Sequence, residues 1–493
     1  MISREEIEIT DVSDYQKLLD AIDDRDLYVD KNLISQLSTH IGLECQRVIV
    51  EYPYYENDFL SSYYIFYAKK LQNFPKECYR IIFYADEDYQ NLMGYITLRP
   101  VYEGRRLGKI FFDPRYLTKE KMHLILSDCK CHLGGSESFI SLFPHMRQEG
   151  DVAVCAHVAI WSVLRSFTLR FRRYPELTLG KIVEMVSSQA ERPIPSHGLT
   201  VYQISKVFMD TGFSPVVLFP SDKNSRLIRE ALISYIDSGI PVVAFLSKWN
   251  HAVSVIGLGD YLPQHDRSSV LNQAKSICPF ETYWENGREV STPVILSSRF
   301  YNSIVVNDDN YFPYAMVRMK RPAPAQTGSE EAVPPYSIAD IDRLIVPLYP
   351  RIQLAYEDVR TIFLRMMAAN SKPGDSPMIG RIFLTSANTY REYVNEACQN
   401  LDPVIKTFLI DIKMPKFIWC VEISTPEHYQ QKNPVVDGLL IFDSTSATIN
   451  PEPLLFAVYP DRRMYFRKDG HIMKGPDAYL AIPRFNRNLK EVN

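Results

Sequence analysis

Residues 148–167 read QEGDVAVCAHVAIWSVLRSF. An acidic, polar stretch gives way at Val152 to a run that would be hydrophobic on nearly every side of a helix, so the pattern predicts a helix over 155–171, buried through its middle. Glu149 and Asp151 lie before its start and Arg165, Arg170, Arg172 and Arg173 load its far end, as the helix dipole prefers. Cys155 therefore stands at the positive end, where a thiol becomes a nucleophilic thiolate most readily. Taken alone, a cysteine on an apolar helix is ordinary core, because free cysteine is among the most buried residue types. His157, two positions on, points to another side of the helix and gives the thiol no help.

Working outward, helical patterns continue over 179–190, over 196–212, introduced by Ser196 and Gly198 and closed by Gly212, and over 225–239. Three β-branched runs then follow: IPVVAFL, HAVSVIGLG and NSIVVND. Helices first and strands afterwards predict an α+β fold, with helices packed on an antiparallel sheet. His251 heads the second strand, from which it can present its ring to a facing helix terminus. Asn307 and Asp308 close the third, where a carboxylate or amide can accept from an imidazole and fix its tautomer. Each of these is commonplace singly; the order Cys, His, Asp/Asn, each at the edge of an element, is what points to nucleophilic chemistry.

Those residues resemble the papain-like cysteine peptidases, closest to the double-glycine leader peptidases that process bacteriocins. The resemblance runs through QEGDVAVCAHVAIW, GLTVYQISKVFMDTGF, REALISYIDSGIPVVAFL, HAVSVIGLG and VVND, over about residues 145–315. It implies a central helix opened by the nucleophile Cys155, His251 as base, Asp308 as the third member with Asn307 as its alternative, and Gln148 as an oxyanion donor beside the Cys155 N–H. It also implies a protein or peptide substrate, with hydrolysis, deamidation and acyl transfer sharing the first half-reaction. Three departures stand out. Gln148 is seven positions before the cysteine, slightly more than usual; Ala156 replaces the usual glycine; and residues 260–301 lengthen the chain between His251 and Asp308, an insertion expected to cover or shape the cleft. A non-catalytic scaffold that keeps the fold without turnover is the competing class.

Length and composition frame this reading. The 493 residues exceed one ordinary core, and the expected organisation is an α+β region at 1–140, the papain-like unit at 141–320, a Pro/Ala-rich linker or exposed loop at 321–336 and an α+β region at 337–493. With 46% hydrophobic and 23% charged residues, the chain has no disordered or fibrous character. A net charge of −4 leaves no basic footprint for nucleic acid. The eight cysteines are scattered, which predicts a reducing, cytoplasmic setting, and the acidic N-terminus MISREEIEITDVSD lacks the pattern of an export signal. The apolar run at 152–164 is short of the roughly 20 residues that span a bilayer. CKCH at 129–132 has the wrong spacing for a zinc site, and RRLGKI at 105–110 lacks the glycines of a phosphate cradle. No cofactor or metal is expected, and oligomeric state is not legible.

Overall fold

The computed structural model describes the chain apart from residues 1–2, 24–30, 102–105, 118–119, 134–135, 188–193, 195–197, 220–224, 260–261, 263–266, 270–280, 320–333, 372–375, 400, 450–452 and 493, and the side chains of 19, 23, 31–34, 187 and 225. It is a mixed α+β structure with several antiparallel sheets. Five strands form an N-terminal sheet in simple chain order: Ser3–Glu8, Arg47–Tyr54, Cys78–Tyr84, Leu92–Leu98 and Leu107–Phe112. The central sheet runs Ala315–Arg318, Ser303–Asn307, His251–Gly259, Val242–Leu246, Arg343–Leu348, Ser214–Leu218, every pair antiparallel. Met122–Leu124 joins the far end of His251–Gly259 and is itself paired with Lys490–Val492. A third sheet of seven strands begins with Val294–Leu296, parallel to Met378–Ser386, and continues antiparallel through Phe417–Ser424 and Gly438–Asp443.

The strands do not respect the boundaries expected from composition. Arg343–Leu348, placed in the C-terminal region by its position after the Pro/Ala-rich stretch, is an inner strand of the central sheet, between Val242–Leu246 and Ser214–Leu218. Met122–Leu124, expected in the N-terminal region, also pairs there, and one continuous apolar core runs from Ile7 through Trp161 to Phe363. A second core fills one face of the C-terminal sheet around Phe383, Tyr390 and Phe456. Of the expected linker, residues 321–333 lie outside the described residues, but its last residue, Tyr336, is buried rather than exposed. The described part of the insertion at 260–301 forms the hairpin Thr282–Glu285 with Arg288–Ser291, then adds Val294–Leu296 to the C-terminal sheet. None of its described residues lines the cleft beside Cys155.

The central helix, Cys155–Arg170, matches the predicted one to within a residue and is buried from Ala156 to Leu164. Trp161 is wholly buried, which removes enough apolar surface for about 2–3 kcal/mol. Its indole N–H finds Asp58 Oδ1 at 2.9 Å, which also accepts the N–H of Leu179, while Asp58 Oδ2 takes Lys109 Nζ at 2.6 Å. The helix is fixed against the sheet by the Ser254 hydroxyl, which donates to the Ala159 carbonyl at 3.2 Å. Helix and histidine strand are thus joined by a buried hydrogen bond as well as by packing.

Candidate active site

The chain enters the central helix through a tight turn in which Gly150, at φ 77°, donates to the Ala153 carbonyl at 3.0 Å. Only glycine occupies that backbone region without a steric cost. Val154 then takes the capping position with extended backbone and no capping side chain. His157 supplies the missing cap: its Nδ1 accepts from the Val154 N–H at 3.4 Å, and burial holds it neutral, down at about 4. This histidine, read from sequence as a bystander, shapes the turn that delivers Cys155. The thiol is the first residue of the helix and partly exposed, whereas the other six described cysteines are buried. Burial pushes the Cys45 thiol, for instance, up to about 12.

His251 arrives from the sheet. The chain leaves Val242–Leu246 by a single 3-10 turn, Ser247–Trp249, passes through Asn250 in the left-handed region at φ 47°, and starts the next strand at His251, which is paired with Leu246. Asparagine is one of the few residues that tolerate this conformation. His251 Nε2 lies 3.0 Å from Asp308 Oδ1, and the ring shares the wall of one cleft with Cys155, near enough for the thiol to act on its protonation. Burial works against a charged ring, but the bonds to Asp308 and Cys155 and the negative charges of Asp308 and Asp309 overcome it, and His251 is drawn up to about 11. Asp308 is fully buried and saturated: Oδ2 accepts from the Tyr336 hydroxyl at 2.7 Å, and Oδ1 also accepts the Asn310 N–H at 2.9 Å. Despite the cost of burial, these bonds hold its carboxyl below the usual range.

Four of the five residues singled out from sequence meet here: His251 bonded to Asp308, with Cys155 and Gln148 in the wall of the same cleft as the imidazole. Gln148 Nε2 donates to Asn310 Oδ1 at 3.1 Å. Asn307 does not join them. Its amide is turned the other way, donating to the Pro144 carbonyl at 3.4 Å and accepting the Tyr314 N–H at 2.9 Å, so it fastens a loop and leaves Asp308 as the histidine's partner. Two residues were missed. Asn310 touches Gln148 and lies 3.5 Å from His251 Nε2, and Tyr336 seals the buried side of Asp308. Asn310 follows two acids in NDDN and was legible as a turn residue only; Tyr336 gave no signal, being the last letter of an apparent linker.

The cleft has a volume of about 1140 Å³ and is walled by Gln148, Cys155 and His251 on one side and by the first turn of the helix Val201–Asp210 on another. That helix is capped by Thr200, whose hydroxyl accepts the Gln203 N–H while the Gln203 side chain accepts the Thr200 N–H, instead of starting at Ser196, which lies outside the described residues. His251, Asp308 and Asp309 also each offer one ligand atom within 4.8 Å of the others, a set able to hold a divalent ion. The full hydrogen bonding of Asp308 competes with that use. Cys129 and Cys131, by contrast, are buried on one face of the strand Ser127–Leu133, with Lys130 and His132 exposed on the other.

Comparisons with protein-family models, with curated proteins and with solved structures gave no match to this chain. Among the described residues, no helix is long and apolar enough to cross a membrane.

Proposed function

We propose that the chain is a papain-like cysteine hydrolase that acts on a peptide or protein amide bond through Cys155, His251 and Asp308. The observation that carries the reading is one imidazole bonded to a buried carboxylate and sharing the wall of an open cleft with a partly exposed thiol that acts on its protonation. Cys155 passes its proton to His251, and the thiolate attacks the amide carbonyl. The resulting oxyanion is stabilised by the Cys155 backbone N–H and the Gln148 amide, each such donor being worth about 10²–10³ in rate. His251 then protonates the leaving amine, and water, deprotonated by the same ring, cleaves the thioester and restores the thiol. With an amine in place of water the same site performs acyl transfer, and with a glutamine side chain as substrate it performs deamidation. The free thiols at all seven described cysteines suit a reducing, cytoplasmic setting.

Alkylation with iodoacetamide, read residue by residue by mass spectrometry at neutral and mildly acidic pH, tests the nucleophile. Cys155 is expected to label fastest, to lose that advantage in His251→Ala, and to keep it in the presence of a chelator. Labelling no faster than the buried thiols, or unchanged by His251→Ala, leaves a scaffold protein as the better reading. Peptides containing glutamine, incubated with an amine donor, then separate hydrolysis, deamidation and transfer by their mass shifts.

A further inference from the structure

Among the described residues that line the cleft, Arg343 is the only permanently charged side chain; the remainder are apolar or neutral and polar apart from Cys155 and His251 themselves. Its place is fixed by strand register. Ala252, next to His251, is the cross-strand partner of Phe245, and Phe245 is in turn the partner of Arg343, so the three form one row across the sheet and share the cleft. Two strand spacings place the Arg343 backbone about 10 Å from that of Ala252. The neighbouring acid is engaged elsewhere, Asp342 Oδ1 accepting the Ser247 N–H at 3.4 Å. Arg343 has no acidic partner among the described residues, unlike Arg360, Arg381 and Arg80, which are held by Glu230, Asp237 and Glu51. The first turn of the helix Val201–Asp210 also lines the cleft, and the dipole at that end has the same sign.

We propose that Arg343 is a specificity residue that receives a carboxylate of the substrate, so that the cleft selects acidic peptides. This rests on reading the cleft as the substrate site of a cysteine hydrolase. At about 3.3 Å per extended residue, a span of about 10 Å puts that carboxylate within roughly three residues of the scissile bond. Arginine suits the role because its planar fork meets a carboxylate with two parallel hydrogen bonds. The carboxylate belongs either to an Asp or Glu side chain or to a free chain terminus, and the two are separable.

Binding is measured by fluorescence anisotropy on the full chain carrying Cys155→Ala, so that no turnover is needed. The probes are peptides blocked at both ends with Glu or its isostere Gln at each position in turn, and a parallel set with a free or amidated C-terminus. A charged hydrogen-bonded pair of this kind corresponds to about 10- to 100-fold tighter binding of the acidic member. Arg343→Met is expected to abolish that ratio, Arg343→Lys to keep part of it, and Arg343→Glu to reverse it in favour of lysine-containing peptides, with unchanged circular dichroism in each. Equal binding of acid and amide, no binding of any peptide, or a ratio that survives Arg343→Met overturns the proposal. Acid-selective binding without turnover by the intact thiol would instead remove the hydrolase reading and leave this one standing, whereas turnover indifferent to charge removes only this one.

Discussion

Asp308 and Asp309 are adjacent and both buried, yet they have opposite environments. Asp308 accepts three hydrogen bonds, whereas Asp309 Oδ2 has no hydrogen-bond partner, and burial pushes its carboxyl up to about 7 despite the nearby imidazole. A carboxyl whose folded pKa exceeds the ordinary 3.8 favours the folded state only while protonated, so its cost to stability grows as pH climbs from about 4 and is complete above about 7. Asp309→Asn should therefore raise the melting temperature more at about pH 8 than at about pH 4; equal gains would contradict this. His251 has the same sign for a different reason. Raised from 6.5 to about 11, its stabilisation is whole below pH 6.5 and is lost as pH rises through about 11. Tyr336→Phe removes one charged hydrogen bond from Asp308, at about 1.5–3 kcal/mol, and leaves the carboxylate a stronger acceptor for the imidazole, so the His251 titration midpoint seen by NMR should not fall and Cys155 should stay alkylable. Chemical residue types at element edges made Cys155, His251 and Asp308 legible in sequence; the choice of Asp308 over Asn307 was not, because it depends on which way a strand-end side chain turns.

At the scale of elements, the histidine strand is held at its far end by close packing that leaves no room for a side chain. A Cβ on Gly257 would lie 2.5 Å from Leu124 Cδ2 and 2.7 Å from the His123 carbonyl, where Met122–Leu124 and Ser303–Asn307 both pair with the strand. Gly257→Ala should cost about 1–3 kcal/mol in denaturant unfolding. The middle of the central helix is anchored likewise by Asp58, and Asp58→Ala leaves the N–H groups of Trp161 and Leu179 and one contact of Lys109 unmet; a loss of about 3–5 kcal/mol is expected from the same measurement. Helices and the His251 strand were legible because their apolar spacing is long and regular. Ser214–Leu218 was not, being five residues with a proline amid helical patterns. The pairing of Val294–Leu296 with Met378–Ser386 was not legible either, because the partner lies far along the chain and pairing at such separation leaves no local mark.

Over the whole molecule, buried charge joins what composition appeared to divide. Arg381, on the C-terminal sheet, bonds Asp237 at the end of the helix Ser225–Asp237 with 2.6 and 2.7 Å contacts and Glu422 at 2.8 Å. Breaking it with Arg381→Met strands two buried acids and should cost about 3–5 kcal/mol. The central and C-terminal sheets are accordingly expected to melt in one calorimetric transition; two resolved transitions would show that this junction carries little coupling. Broad class and the presence of more than one sheet were legible from length and pattern, whereas the sharing of strands across the Pro/Ala-rich stretch is a property of pairing partners that no single segment encodes. The late arrival of Arg343–Leu348 and Tyr336 has a consequence for a chain still being made. When Cys155, His251 and Asp308 have all left the ribosome, the sheet still lacks an inner strand and Asp308 still lacks its phenol partner. Translation order thus keeps the surroundings of Cys155, His251 and Asp308 unfinished in the nascent polypeptide until synthesis has passed Leu348.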